Sequence, residues 1–139
     1  NQNRYSIFDR TVETNGLKET AAKLHKGIIT FSPLAQGLLT NRYLDGIPAD
    51  SRVHTDGRFL KEKDITPEKI AKIRALNEIA AARGQTLAEM ALAWLLSHEE
   101  ITTVLIGASK TQQILDNIKA VQNMKFTTEE LAEIDRISK

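Results

Sequence analysis

Two runs of the chain are apolar almost without interruption, Gly27-Ile-Ile-Thr-Phe-Ser-Pro-Leu34 and Ile101 to Ile106. Runs of this length and uniformity predict strands with no wet face, as in a parallel sheet covered by helices. Around them the apolar spacing changes to that of helices. Leu17, Ala21 and Leu24 mark a short helix reaching Lys26, and Gly27 is expected to permit the turn into the first run. Thr66-Pro67-Glu68 opens a longer helix with a capping hydroxyl, a first-turn proline and a carboxylate at the positive end of the dipole. Its predicted buried stripe is Ile70, Ile73, Leu76, Ile79 and Ala80, and Gly84 ends it. Thr86 with Glu89 forms a capping box for a second helix carrying Met90, Ala91, Ala93, Trp94 and Leu95. After the second run, Ser109 is placed to cap a helix with Ile114, Leu115, Ile118 and Val121 on one face. A last helix starts at Thr127, with Glu130 as its box partner, and buries Leu131, Ile134 and Ile137.

With a strand at its start, the chain reads β-α-β-α-α-β-α-α, which predicts a parallel sheet of about three strands. Three strands cannot close a barrel, so an unpaired edge is expected on each side, and the piece alone is expected to be unstable or oligomeric. Residues 40–66 have no sustained apolar period and are broken by Gly46, Pro48 and Gly57. A loop of that length is read as a lid, in preference to a disordered insertion.

Composition narrows the classes. A 41% hydrophobic, 27% charged chain of net charge +1 is ordinary globular protein, with no electrostatic reason to bind nucleic acid or an anionic membrane. No cysteine means no disulfide or thiolate nucleophile, compatible with a reducing cytoplasm. No signal peptide or bilayer-length apolar span is seen, so the chain reads as soluble and cytoplasmic. His25 and His98 sit near predicted helix carboxyl ends, where a cationic imidazole is favoured; His54 lies in the long loop. None has a second ligand at metal spacing.

The chemistry gathers where the apolar runs end. Ile29-Thr-Phe-Ser-Pro-Leu-Ala-Gln-Gly37 and Leu105-Ile-Gly-Ala-Ser109, the latter followed by Gln113 and Asn117, both pass straight into small and hydroxyl residues. Parallel α/β proteins bind ligands at the carboxyl ends of strands, and barrels of this kind place phosphate after their last two. Ser109 and Lys110, at the start of a helix, form an anion site by helix geometry.

With Gln2-Asn-Arg-Tyr-Ser-Ile-Phe-Asp-Arg10, Gly46-Ile-Pro-Ala-Asp-Ser-Arg52 and Met90-Ala-Leu-Ala-Trp94, these segments resemble the aldo-keto reductases, most closely the branch of the potassium-channel β subunits and bacterial glyceraldehyde-3-phosphate reductases. The likeness runs the length of the chain. It implies the carboxyl-terminal part, about the last three strands and their helices, of a TIM (β/α)8 barrel, with residues 1–139 as that portion and the lid at about 40–66. The chain starts at Asn1, not Met, and its first segment resembles the family's sixth strand. The catalytic Asp, Tyr, Lys and His of the family precede that point. No catalytic residue is therefore assigned here.

What the resemblance implies for the site is a bound NADP(H). Gln2 matches the amide that bonds the nicotinamide carboxamide, and Phe31 the ring that stacks on it. By residue type alone Gln2 would be an exposed amide and Phe31 core. Ser32, Pro33, Leu34 and Gly37 resemble the pyrophosphate cradle, which Thr40 and Arg42 extend, and Arg52 the arginine that closes over the phosphates. Ser109 and Lys110 would face the adenosine 2′-phosphate, Gln113, Asp116 and Asn117 the ribose phosphate and adenine, and Gly107 belongs to the same cofactor-binding segment. Many reductases have arginine where Gln113 stands. The implied activity of the intact protein is NADPH-dependent reduction of a small aldehyde or ketone, with the chain alone inactive. The partners would be the carbonyl substrate and the rest of the barrel, with homo-oligomers open by likeness. A nucleotide-responsive binding subunit, or a half-barrel with a relic site, are the other readings.

Overall fold

The computed structural model describes residues 1–139, the side chain of Arg52 excepted. Its sheet is parallel and three-stranded, β1 (Gln2–Arg4), β2 (Ile28–Phe31) and β3 (Ile101–Val104), in that spatial order. Gln2 pairs with Ile29 and Arg4 with Phe31; Ile28 pairs with Ile101 and Thr30 with Val104, with an irregularity between Ile28 and Ile29. This register levels the strand ends. Tyr5 donates its N–H to Phe31 and Leu105 to Thr30, so the chain leaves β1, β2 and β3 at a common carboxyl edge.

The helices are α1 (Thr11–Thr14), α2 (Leu17–Lys23), α3 (Arg52–Thr55), α4 (Pro67–Ala82), α5 (Leu87–Leu96), α6 (Thr111–Asn117) and α7 (Thr128–Ser138). The starts of the long helices follow their sequence signals. The Thr66 hydroxyl accepts from Lys69 N–H at 3.1 Å, and Thr86/Glu89 and Thr127/Glu130 form reciprocal boxes. Ile73, Leu76 and Ala80 of α4 are fully buried, as are Met90, Ala91, Ala93 and Leu95 of α5, with Trp94 nearly so. All of these but Ala93, which packs with Leu92 and Ala120, join Tyr5, Ile7 and Ile134 in one core, with α5 packed on β3 and α4 on α7.

Several local expectations are corrected. Gly27 does not supply a left-handed turn; His25 does, at φ 52°. Gly27 is needed for space, since a Cβ there would lie 2.0 Å from Thr102 Oγ1. The first apolar run is strand only over Ile28–Phe31, with Ile28 and Thr30 buried and Ile29 and Phe31 half-covered, so one face is not sealed. Leu24 and Leu131 are exposed. The helix from Ser109 begins instead at Thr111 and tightens into a 3-10 turn at Ile118–Gln122. Ala120 of that turn packs on α5, while Ile114, Leu115, Ile118 and Val121 are 47–59% exposed. The 40–66 loop is also less irregular than its sequence suggests. It buries Tyr43, Ser51 and Leu60 and folds into short helical turns.

Candidate functional site: a hollow at the strand ends

The turn after β2 is the most contorted segment of backbone. Ser32, Ala35, Gln36 and Gly37 have φ of 54°, 48°, 62° and 93°. Left-handed conformations cost non-glycine residues energy and persist where the surroundings impose them, which happens disproportionately at ligand sites. Here they are held by Ala35 N–H to Ser32 O, Gly37 N–H to Leu34 O and Gln36 Nε2 to the Ser32 hydroxyl at 3.2 Å.

Facing this turn across the carboxyl edge is the segment after β3. Together they border an open hollow of about 1140 Å³. Of the candidate residues, Phe31, Ser32, Pro33, Leu34, Gly37, Thr40, Arg42, Gly107, Ser109, Gln113, Asp116 and Asn117 line it. Gln2, exposed on β1, and Lys110 are not among the lining, and the Arg52 side chain lies outside the described residues. Sequence reasoning missed Asn41, Asp50, Thr55 and Lys119 as wall residues. Lys119 falls three positions past Asp116, a spacing that announces a helical ion pair; the others carry no local signal.

Several groups are already engaged. Gln113 Oε1 accepts from Ser109 N–H (2.8 Å), Lys110 N–H (3.2 Å) and the Ser109 hydroxyl, so this side chain, and not Ser109, caps α6. A lysine side chain has no acceptor, so the cap at Lys110 is its backbone N–H alone. Arg42 donates to the Asp50 carbonyl and pairs with its carboxylate, both at 2.8 Å, while its buried Nε has no partner among the described residues. Thr40 donates to Gly37 O and accepts from Arg42 N–H, tying the loop to the β2 turn. Asp116 is held below the usual carboxylate range by Lys119, at 3.0 Å, and by the Gln112 amide.

The walls combine an aromatic ring and apolar side chains, Phe31, Leu34, Leu105 and Ile106, with hydroxyls, amides and cations. Gly37 adopts its φ of 93° without the steric penalty a Cβ would bring.

A second polar group lies in the core. Tyr5, Trp94 and His98 stack edge to face, with centroids 4.5–5.6 Å apart. The Tyr5 hydroxyl donates to Glu13, which also pairs with Arg10, and Arg10 reaches Asp135 at 2.9 Å. Burial, then Glu13, push the Tyr5 phenol up. His98 differs from the cationic imidazole expected at a helix end: burial, then Lys18, push it down, and its Nδ1 lies 2.7 Å from Trp94 O. Among the described residues no cluster of His, Asp and Glu could hold a metal ion, and no helix is long and apolar enough to cross a membrane.

The sequence matches the aldo/keto reductase family over residues 1–139, and the chain belongs to that family. It is 48% identical over 138 residues to the L-glyceraldehyde 3-phosphate reductase of Escherichia coli O157:H7, a match covering 97% of this chain and 40% of that protein. A Schizosaccharomyces pombe protein named as a voltage-gated potassium channel subunit beta is 41% identical over 115 residues, 80% of this chain and 33% of its own length. Among solved structures, the thermostable aldo-keto reductase Tm1743, crystallised with the inhibitor epalrestat, aligns with a TM-score of 0.68 and 26% identity over 98% of this chain and 38% of its own. The chain thus spans about two fifths of the length of these relatives. Its three-stranded parallel sheet is a partial α/β piece with an aldo-keto reductase, TIM-barrel neighbour.

Proposed function

We propose that this chain supplies the NADP(H)-holding, carboxyl-terminal strands of an aldo-keto reductase barrel whose intact form reduces small aldehydes or ketones to alcohols. The observation that carries the reading is the hollow in which the strained β2 turn faces Gly107, Ser109 and Asn117 across the strand ends. Phe31 would fix the face of the nicotinamide, the Ser32–Gly37 turn the pyrophosphate, and Lys110 with Gln113 the 2′-phosphate, once Gln113 releases its cap. Arg42 would exchange Asp50 for phosphate, Arg52 would close from above, and Gln2 would reach the carboxamide from β1. The segment 40–66, tied down through Thr40 and Arg42, would act as the lid. When bound, the cofactor supplies hydride to the carbonyl carbon; the proton for the oxygen comes from residues outside this chain. The chain alone therefore holds cofactor without turnover. Cytoplasmic location and homo-oligomers accord with the composition and the likeness.

The test is NADPH titration of the intact protein by fluorescence, with Ser109→Ala/Lys110→Ala as the variant. Weakened NADPH binding with retained fold supports the reading; unchanged affinity makes the site a relic. The fission-yeast relative supports a second reading, a nucleotide-responsive binding subunit. That reading expects NADPH to change affinity for a partner while aldehyde turnover stays negligible.

A further inference from the structure

A side-chain hydrogen bond spans the contorted turn after β2, where Gln36 Nε2 donates to the Ser32 hydroxyl at 3.2 Å. The path of the turn does not require it. Ala35 N–H to Ser32 O, Gly37 N–H to Leu34 O, Leu38 N–H to Ala35 O and Leu39 N–H to Leu34 O, at 2.9–3.2 Å, already fold the backbone. Nor does the backbone geometry call for glutamine. Gln36 sits at φ 62°, ψ 25°, a left-handed conformation that glycine adopts freely and asparagine tolerates. What glutamine adds there is the reach of its amide, four residues back to Ser32.

A hydroxyl has one proton and two lone pairs. The Gln36 amide occupies one lone pair of Ser32 and turns the proton away from itself, and the hydroxyl makes no other hydrogen bond among the described residues. Both residues line the hollow at the strand ends. Ser32 thus faces the hollow as a donor. Accepting from an amide also polarises its O–H, which strengthens the next bond in the chain. A donor so placed is matched to an oxyanion, since hydrogen bonds to a charged oxygen are about twice as strong as neutral ones.

We propose that Gln36 is a positioning residue for the cofactor pyrophosphate, holding the Ser32 hydroxyl so that it donates to a phosphate oxygen. The inference rests on the NADP(H) reading of the hollow and deepens it with a side chain that sequence reasoning did not single out. The amide itself is required. Glutamate in its place would accept the Ser32 proton, turn the donor back and set a negative charge beside the phosphates.

The experiment titrates the intact protein with NADPH by fluorescence, and with adenosine 2′-monophosphate, which carries no pyrophosphate, by calorimetry. Gln36→Met and Gln36→Gly are each expected to weaken NADPH binding about five-fold, the worth of one neutral hydrogen bond, and Gln36→Glu about ten-fold. In a Ser32→Ala background, Gln36→Met should add less than about two-fold, because the group it positions is gone. Adenosine 2′-monophosphate should bind within about two-fold throughout. Gln36→Gly removes the left-handed side chain, so its thermal midpoint should stay within about 2 °C. In turnover with a reactive aldehyde, Gln36→Met should raise KM for NADPH and leave kcat unchanged. Unchanged NADPH affinity in Gln36→Met, an equal loss with and without the Ser32 hydroxyl, a matching loss of adenosine 2′-monophosphate, or a lowered midpoint in Gln36→Gly overturns the inference and leaves the NADP(H) reading standing. Failure of the unsubstituted protein to bind NADPH overturns that reading, and the inference with it.

Discussion

Arg83 fastens the last helix to the rest of the molecule. Its side chain, 3% exposed, lies at the carboxyl end of α4 with every guanidinium nitrogen occupied. Nε donates to Gln85 Oε1 at 2.9 Å, Nη1 to Lys125 O at 2.9 Å and to Glu130, and Nη2 to Asn123 O at 3.1 Å. The same plane lies 3.7 Å from the centre of the Phe126 ring. Replacing Arg83 with methionine keeps much of the packing on Phe126 and removes all the donors. Breaking a buried charged pair by deleting one partner costs about 3–5 kcal/mol. Glu130 keeps its bond from Thr127 N–H and is partly wetted, which puts the cost near the lower end, at about 3 kcal/mol. With a urea m-value of about 3 kcal/mol/M, as suits a chain of barrel size, the unfolding midpoint of the intact protein should fall by about 1 M. Circular dichroism during urea titration measures it. Adding Glu130→Gln in the Arg83→Met background should cost clearly less than Glu130→Gln alone, because the pair is already broken. A midpoint shift under about 0.3 M, or equal effects of Glu130→Gln in both backgrounds, would refute the assignment of this role to the guanidinium.

Three further outcomes are expected. His98 is pushed down, so the folded state favours the neutral ring; its contribution to stability is full above about pH 6.5 and is lost as pH falls toward the folded pKa. His98→Asn should flatten that decline in urea titrations at about pH 7.5 and pH 5.5, and an unaltered slope would assign the decline to other groups. Gly37→Ala forces a side chain into φ 93°, a cost of about 1–2 kcal/mol that must emerge as lost stability if the turn keeps its path or as weaker NADPH binding if it relaxes. Loss of neither would show that the turn does not depend on glycine. Gly27→Ala places a Cβ against Thr102 Oγ1 and should destabilise by about 1–3 kcal/mol, in part restored by Thr102→Ala; no restoration would mean the clash is not the cause.

Much of this protein was legible in the order of its residues. Helix starts at Thr66, Thr86 and Thr127 are decided within four residues by a hydroxyl that satisfies a backbone N–H, so they need no knowledge of the rest of the chain. The two apolar runs likewise announced strands, though only Ile28–Phe31 and Ile101–Val104 adopt them and the second keeps Thr102 and Thr103 exposed; the hydroxyl and small residues after them line the hollow at the strand ends. The turn of strained φ from Ser32 to Gly37 coincides with the segment that resembled a phosphate cradle.

What remained hidden depends on which surfaces meet. The spacing of Ile114, Leu115, Ile118 and Val121 says only that they share a face. In the folded chain that face is exposed, and Ala120 of the following 3-10 turn packs on α5 instead. His98 sits where a helix dipole would favour charge, yet packing against Tyr5 and Trp94 removes the water that charge requires. Gln113, a cofactor contact only by resemblance, uses its amide oxygen on its own helix start. Local hydrogen bonds and periodicity are short-range properties and can be read along a chain. Burial, cavity walls and the pairing of a cation such as Arg83 come from residues tens of positions apart, and only the folded molecule brings them together.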